Sequence, residues 1–408
     1  MARTGIGKDW EVKNMGYDYY EFQHKTKIMA GELALEKIPF ELKGIGARNP
    51  MILSDAGLAK AGTLQIVLNA LEEGDIRPAC IDIDIPRDSS LSCVNRLAME
   101  YKNKKCDSLI AVGGGSVLDT AKGMRMVLSQ GTKDIIHLAG CESLKKGKEI
   151  PFVAIPTTAG TGSESTLVAV IKDEENKVKM EYISYYLQPD FAVLDVRMTQ
   201  TLPPRMTAST GMDALCHAVE AYTCLQKNPV SDAYAFAAIE MIRDNLFSAV
   251  RFGFKKEARF AMANASMLAG AAFSNSMVGI VHAVGHALGG VCHVPHGDAM
   301  NILLPYGMKY NYEVCKKEYG KLLLPLAGAQ IYAQTPEKDR AKESIRTILK
   351  MRKKLYRICG LPTHLREVGV KPEQFEAVAR TAVNDGAMIV NPKAADIEDV
   401  MKILAEAY

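Results

Sequence analysis

From about residue 50 the chain alternates short apolar runs with segments of helical spacing. PMILSD (50–55), ACIDIDI (79–85), SLIAV (108–112), PFVAIP (151–156), TLVAVI (166–171) and FAVLD (191–195) read as strands. Helical spacing fills the gaps through Leu71, to about Tyr101, and across SVLDTAKGMRMVL after the third run. Strands that alternate with helices predict a parallel sheet covered on both faces. After Asp195 the strand pattern stops. TLPPRMTAST (201–210) places Pro and Ser/Thr where a helix begins, and nearly every later segment has helical spacing. Within 336–358, Ile345, Ile348, Met351, Leu355 and Ile358 form one apolar stripe among charges. The pattern predicts an α/β domain over residues 1–200 and an all-helical domain over 201–408. Residues 1–20 are a polar, aromatic-flecked extension that carries neither period.

Composition narrows the class. The chain has 408 residues, 48% hydrophobic and 24% charged, with a formal charge of +3. That size allows two or three domains, and so small a charge gives no basis for nucleic acid or an anionic membrane as partner. MARTGIGKDWEV has no apolar core, so no secretory signal is expected. The apolar region around 261–291 is interrupted by Ser, Asn and His and reads as buried helices, not a membrane span. The nine cysteines include no CxxC, which fits free thiols in a reducing cytoplasm.

Two loops point to a phosphate and ribose site. SLIAVGGGSVLDTAK (108–122) runs strand, glycines, helix. Glycines at 113–115 admit a close ligand, and a helix starting near Ser116 aims free N–H groups at it. The loop is neither GxGxxG nor a Walker loop. IPTTAGTGSES (155–165) leaves a second strand with Thr157, Thr158, Thr161, Ser163 and Ser165 among small residues, where open α/β sheets bind ligands. Asp55, closing the first strand, suits a ribose hydroxyl or a helix N-cap, with Asp82 and Asp84 as rivals for the ribose.

Four of the eight histidines, His282, His286, His293 and His296, crowd into GIVHAVGHALGGVCHVPHG (279–297). His282 and His286 stand four apart on a predicted helix, which Gly289-Gly290 is expected to end. Upstream, GMDALCHAVEAY puts Asp213 and His217 four apart on another. Two helices and a loop thus offer one carboxylate and three or four imidazoles, a set for Fe²⁺ or Zn²⁺ and not for Mg²⁺ or Ca²⁺. Spacing alone does not choose among the histidines. Ala283 stands where HExxH needs glutamate, which disfavours a zincin protease.

From about Phe22 to Tyr408 the chain resembles the iron-containing (group III) alcohol dehydrogenase family. The likeness rests on GGGSVLDTAK, IPTTAGTGSE, TGMDALCHAVEAY, FSNSMVGIVHAVGHALGG and HVPHG, in the family's order. It implies a Rossmann-like α/β nucleotide domain and an all-α domain, of the architecture shared with dehydroquinate synthase, with the site between them. It implies that Asp213, His217, His282 and His296 bind the metal, Fe²⁺ or Zn²⁺, while His286 faces nicotinamide and substrate. Gly114, Gly115, Ser116 and Asp119 match the pyrophosphate loop. Thr157, Thr158, Thr161 and Thr166 match positions lining the cofactor, and Lys179 a lysine near its ribose. Asp55 matches an acidic residue associated with NAD. Pro86-Arg87-Asp88 departs from the family's Pro-Asn-Pro.

The implied activity is metal-dependent hydride transfer between NAD(H) and a small primary alcohol or diol, with a Lewis-acid ion and with His286 passing the proton. Phe273, Met277 and Val278 suggest an apolar substrate pocket. The resemblance further implies a cytoplasmic homo-oligomer, a dimer. The alternative is a lyase or cyclase of the dehydroquinate synthase type, for which residues 264–297 lack a basic cluster.

Overall fold

The computed structural model describes residues 19–141, 144–176 and 178–408. All but the last two residues of the extension noted above lie outside that range. Nine strands occur among the described residues: β1 (Lys27–Ala30), β2 (Pro50–Leu53), β3 (Cys80–Asp82), β4 (Ser108–Gly113), β5 (Gly140–Cys141), β6 (Phe152–Pro156), β7 (Val168–Asp173), β8 (Val178–Ile183) and β9 (Phe191–Leu194). Helices α1 (Ile38–Gly44), α2 (Ala56–Lys60), α3 (Thr63–Glu73), α4 (Leu91–Asn103) and α5 (Gly115–Gln130) pack around them.

Six strands form one sheet in the order β1-β9-β6-β4-β2-β3, every pair parallel. β4 and β6 are buried along their whole length, which explains why they read as unbroken apolar runs. Their side chains alternate between two cores. Leu109, Ala111, Phe152 and Ala154 pack with Leu97 and Leu118 from α4 and α5. Ile110, Val112, Val153 and Ile155 pack with Ile38, Leu64 and Val67 from α1 and α3. Each such buried aliphatic contributes about 1.5–3 kcal/mol.

The strand order reverses between β2 and β4. From β2 the chain moves outward to β3, then crosses back to β4 on the other side. Crevices at the carboxyl ends of strands flanking such a switch bind ligands. Asp55 and Gly113–Ser116 therefore sit at the favoured place.

Four expectations need correction. The run 166–171 leaves the main sheet: β7 pairs antiparallel with β8, and β5 adds the third strand. Its alternating burial, unlike that of β4, marks a ribbon exposed on one side. The run 79–85 keeps only β3, because the Asp82 side chain turns back to accept from the Asp84 amide. The helical stretch through Leu71 is two helices, broken where Gly62 takes a left-handed φ of 76°. β1, β5 and β8 are too short or too polar to stand out in the pattern.

From α6 (Pro204–Ala221) onward only helices follow: α7 (Pro229–Arg251), α8 (Lys256–Ser274), α9 (Ile280–Cys292), α10 (His296–Tyr310), α11 (Lys316–Ala327), α12 (Ala329–Gln334), α13 (Glu337–Cys359), α14 (Phe375–Ala382) and α15 (Ile397–Ala407), with short 3-10 turns between. α13 is the expected 336–358 helix, and buries Ile345, Ile348, Met351 and Leu355. α6 is buried from Gly211 through Ala221, so Asp213 and His217 lie deep in a second core.

α9 does not end at Gly289-Gly290. It continues to Cys292 and stops where His293 adopts a left-handed φ of 58°, with Val294 donating to the Leu288 carbonyl. Capping of the last turn outweighs the roughly 1 kcal/mol that each interior glycine costs. Among the described residues no helix is long and apolar enough to cross a membrane.

Candidate active site

α6, α9 and α10 converge on one point. α6 supplies Asp213 and His217, α9 supplies His282, and His296 opens α10. One ligand atom from each of these four lies within 4.8 Å of the others. Asp213 Oδ1 is 3.9 Å from His217 Nδ1, 3.8 Å from His282 Nε2 and 3.3 Å from His296 Nε2. Asp213 Oδ1, His217 Nδ1 and His282 Nε2 are buried and have no hydrogen-bond partner. Buried polar atoms are normally paired, so three orphans aimed at one point are the signature of a cation site. One carboxylate and three imidazoles fit Fe²⁺. The His296 side chain is 35% exposed, against 2–6% for the other three, and opens the point to solvent.

The electrostatics agree. Burial works against ionising Asp213, but His217, His296 and His282 outweigh it and hold the carboxyl below the usual range. Burial lowers His217 to about 3 and puts His282 well below an ordinary imidazole. Neutral imidazoles and an ionised carboxylate are the protonation states that metal binding requires.

Sequence reading missed the residue that orients this centre. Glu220, one turn beyond His217 on α6, accepts from the Val281 amide at 2.8 Å, the His282 amide at 3.3 Å and His282 Nδ1 at 2.5 Å. It thus caps the N-terminus of α9, whose own N-cap, Gly279, has no side chain to do so. By occupying Nδ1 it turns His282 Nε2 toward the ion point. Asn391 bonds the Ile280 amide at 3.0 Å. A Cβ on Gly279 would come within 2.7 Å of Asn391 Oδ1 and 3.1 Å of Glu220 Oε1, so this capping requires glycine. Burial pushes Glu220 up to about 7, against the pull of the backbone amides. The available signal was a glutamate inside an apolar helix.

His286 lies one turn on from His282, with ring centres 5.9 Å apart, and stands outside the four-residue cluster. Its Nδ1 pairs with Asp385 Oδ2 at 2.9 Å and is 3.8 Å from Glu181. Burial disfavours protonation of His286, but Asp385 and then Glu181 outweigh it and raise its pKa. Neither acid was singled out in the sequence: Asp385 sits in a turn-like Asn-Asp-Gly, and Glu181 on an unrecognised strand.

One cleft of about 480 Å³ joins this centre to the sheet. Gly115, Ser116, Asp119, Thr161, Thr166 and Lys179 line it at one end, and His217, His282, His286 and His296 at the other. Phe273, Met277 and Val278 also line it, as expected of an apolar pocket, with Phe273 stacked on His217 at 4.3 Å between ring centres. A Cβ on Gly114 would touch the Thr158 methyl at 3.4 Å, and one on Gly115 the Thr161 methyl at 3.0 Å. The two loops therefore pack on each other, and the glycines permit it.

Several expected cofactor residues are occupied in building the loops. Asp119 is half-buried and accepts from Ser163 Oγ at 2.7 Å and the Val170 amide at 3.0 Å. Burial raises its pKa. Thr166 Oγ1 accepts from the buried Lys122 ammonium at 2.7 Å. The Thr157 amide donates to the Gly113 carbonyl at 3.0 Å, linking β6 to β4. Ser116 donates to the Arg87 carbonyl, and Lys179 pairs with Asp88 at 3.0 Å. Asp55 stands outside the cleft lining and caps α2 through the Leu58 amide at 3.0 Å. Its rival Asp82 pairs with Arg96 at 2.8 Å.

Comparison with known proteins agrees with this geometry. The model of the iron-containing alcohol dehydrogenases matches residues 25–196, and that of the C-terminal part of the Fe-containing alcohol dehydrogenase family matches 207–408. Alcohol dehydrogenase 4 of Saccharomyces cerevisiae is 36% identical over 380 residues, covering 93% of this chain and 96% of its own. The NAD-dependent methanol dehydrogenase of Bacillus methanolicus is 35% identical over 377 residues, 92% of this chain and 97% of its own. The crystal structure of a 1,3-propanediol oxidoreductase superposes with a TM-score of 0.91 at 33% identity, covering 96% of this chain and 100% of that one. The chain belongs to the iron-containing alcohol dehydrogenase family, as an NAD(H)-linked, iron-dependent oxidoreductase of alcohols and aldehydes and not a lyase of the dehydroquinate synthase type.

Proposed function

We propose that Asp213, His217, His282 and His296 hold the iron, and that NAD(H) lies along the cleft from Gly114, Gly115 and Ser116 to His286. The carrying observation is the set of buried, unpartnered ligand atoms at one end of a cleft that begins at the sheet's switch point. When bound, the ion supplies Lewis acidity toward the alcohol or aldehyde oxygen.

The remaining work falls to the protein. Glu220 holds His282 in the tautomer that presents Nε2. The α5 N-terminus and the loop carrying Thr157, Thr158 and Thr161 receive the pyrophosphate without a side chain in the way. Asp119 and Thr166 brace that loop, and Lys179, in the cleft lining, is assigned to the ribose. Phe273, Met277 and Val278 keep water from the hydride path. Asp385 fixes His286 through Nδ1, which leaves Nε2 to pass the proton between substrate and solvent.

The substrate is a small primary alcohol or diol and its aldehyde, in keeping with relatives named for methanol and 1,3-propanediol. The two domains meet near residue 201. The enzyme works in the cytoplasm: the eight described cysteines outside β5 are free thiols. It works as a homodimer, and β1, the edge strand of the sheet among the described residues, is suited to such pairing.

We assign the preference for NAD over NADP to Asp55, which follows β2 beside the switch point and would repel a 2′-phosphate. Steady-state rates with NADH and NADPH test this. Asp55→Gly is expected to improve kcat/KM for NADPH about tenfold relative to NADH. A parent enzyme that already prefers NADPH would overturn the assignment and direct attention to Arg87.

A further inference from the structure

The two acids beside His286 are not equivalent. Asp385 is fully engaged, with Oδ2 on His286 Nδ1 at 2.9 Å and Oδ1 on the Ala387 amide at 2.9 Å. Glu181 accepts no hydrogen bond among the described residues. Its Oε1 is 3.8 Å from His286 Nδ1, beyond hydrogen-bond reach. Lys179, on the same strand, is drawn away to Asp88.

The Glu181 side chain is 29% exposed and lines the cleft. Its Oε2 lies against Gly386, only 3.1 Å from where a Cβ there would stand. Phe273, Met277, Val278 and Ala387 form the apolar wall of the same cleft. A half-buried carboxylate without donors is costly, so a ligand that brings one is favoured. Burial has already raised the Glu181 pKa, with the repulsion of Asp385 adding to it.

The cleft lining therefore offers an incoming chain both an apolar surface and a hydrogen-bond acceptor of negative charge. We propose that Glu181 sets substrate specificity by accepting a hydrogen bond from a second hydroxyl, so that diols and hydroxyaldehydes are preferred and carboxylated alcohols are rejected. This rests on the reading of the cleft given under Proposed function. Asp385 lies close behind Glu181 and adds to the repulsion of an anionic substrate, whereas a neutral hydroxyl meets no such penalty.

The test measures NAD-linked oxidation by the iron-loaded enzyme of three compounds of similar length: 1,4-butanediol, 1-pentanol and 4-hydroxybutanoate. The parent is expected to favour the diol over pentanol in kcat/KM by about tenfold, the worth of one hydrogen bond to a charged group. Glu181→Leu should abolish that ratio. Glu181→Gln, which keeps an acceptor but no charge, should retain much of the diol preference while raising kcat/KM for 4-hydroxybutanoate. Thermal melting of both variants verifies that each is folded. An unchanged diol-to-pentanol ratio in folded Glu181→Leu overturns the proposal. So does a rise in KM for NAD with that ratio intact, which would place Glu181 against the nicotinamide amide. A parent that oxidises none of the alcohols defeats the reading of the cleft itself, and is distinguished by that total loss.

Discussion

The two ends of the cleft, proposed above as the metal end and the nucleotide end, are built by opposite means. The metal end is made of side chains fixed by other side chains: Glu220 fixes His282, and Asp385 fixes His286. The nucleotide end is made of space and backbone. There Gly114 and Gly115 let two loops meet, and the polar side chains mostly hold those loops together. The ends also treat buried acids differently. Glu220 receives two amides and an imidazole nitrogen, whereas both oxygens of the buried Glu164, in the loop after β6, have no hydrogen-bond partner. Precision at the metal end depends on donors in fixed directions; at the nucleotide end it depends on close approach.

Removing a support at the metal end should have the largest effect. Glu220→Ala strands the α9 amides and frees the His282 ring. It should destabilise the fold by about 3–5 kcal/mol and weaken iron binding about 10–100-fold. Denaturant titration and competition with a chelator measure the two losses. Retained iron affinity in a folded variant would show that His282 needs no partner.

The contrast in buried acids gives the next. Burial raises Glu164 to about 7, offset in part by its backbone contacts and by Lys122, which burial itself lowers to about 8. An acid raised above its unfolded value stabilises fully below the unfolded pKa near 4.5, and that contribution is lost as pH rises through 7. Glu164→Gln should therefore be more stable than the parent at pH 8, by about 3 kcal/mol at most, with the difference closing toward acid. Parallel melting curves from about pH 4.5 to 8 check this, and a constant difference would contradict it.

A smaller effect is expected from filling the space at the nucleotide end. Gly115→Ala puts a Cβ 3.0 Å from the Thr161 methyl. KM for NAD should rise about tenfold, with iron content unchanged. An unaltered KM would mean that the cofactor does not use this loop.

This contrast also explains what was legible in the sequence. The strands β2, β4, β6 and β9 and helix α13 stood out because burial on both faces, or on one stripe, writes a strong period. β7 was seen but misplaced, since a run's apolar character does not say which sheet it joins. The histidine cluster was conspicuous because imidazoles are rare and four share one short segment. Their supports were not, because Glu220, Glu181 and Asp385 act through partners at least 61 positions away. The loop residues showed their chemical type but not what each one bonds. Asp119 and Thr166 read as cofactor residues, whereas the bonds they make are to Ser163, Val170 and Lys122 within the protein.

The central claim is that α9 divides its labour, with His282 on the ion and His286 one turn away on the proton path. The most direct measurement is iron content beside turnover for His282→Ala and His286→Ala. The account predicts that His282→Ala loses both, while His286→Ala keeps its iron and loses about 10²-fold in turnover. Equal loss of iron in the two variants would contradict it, and would make His286 a ligand.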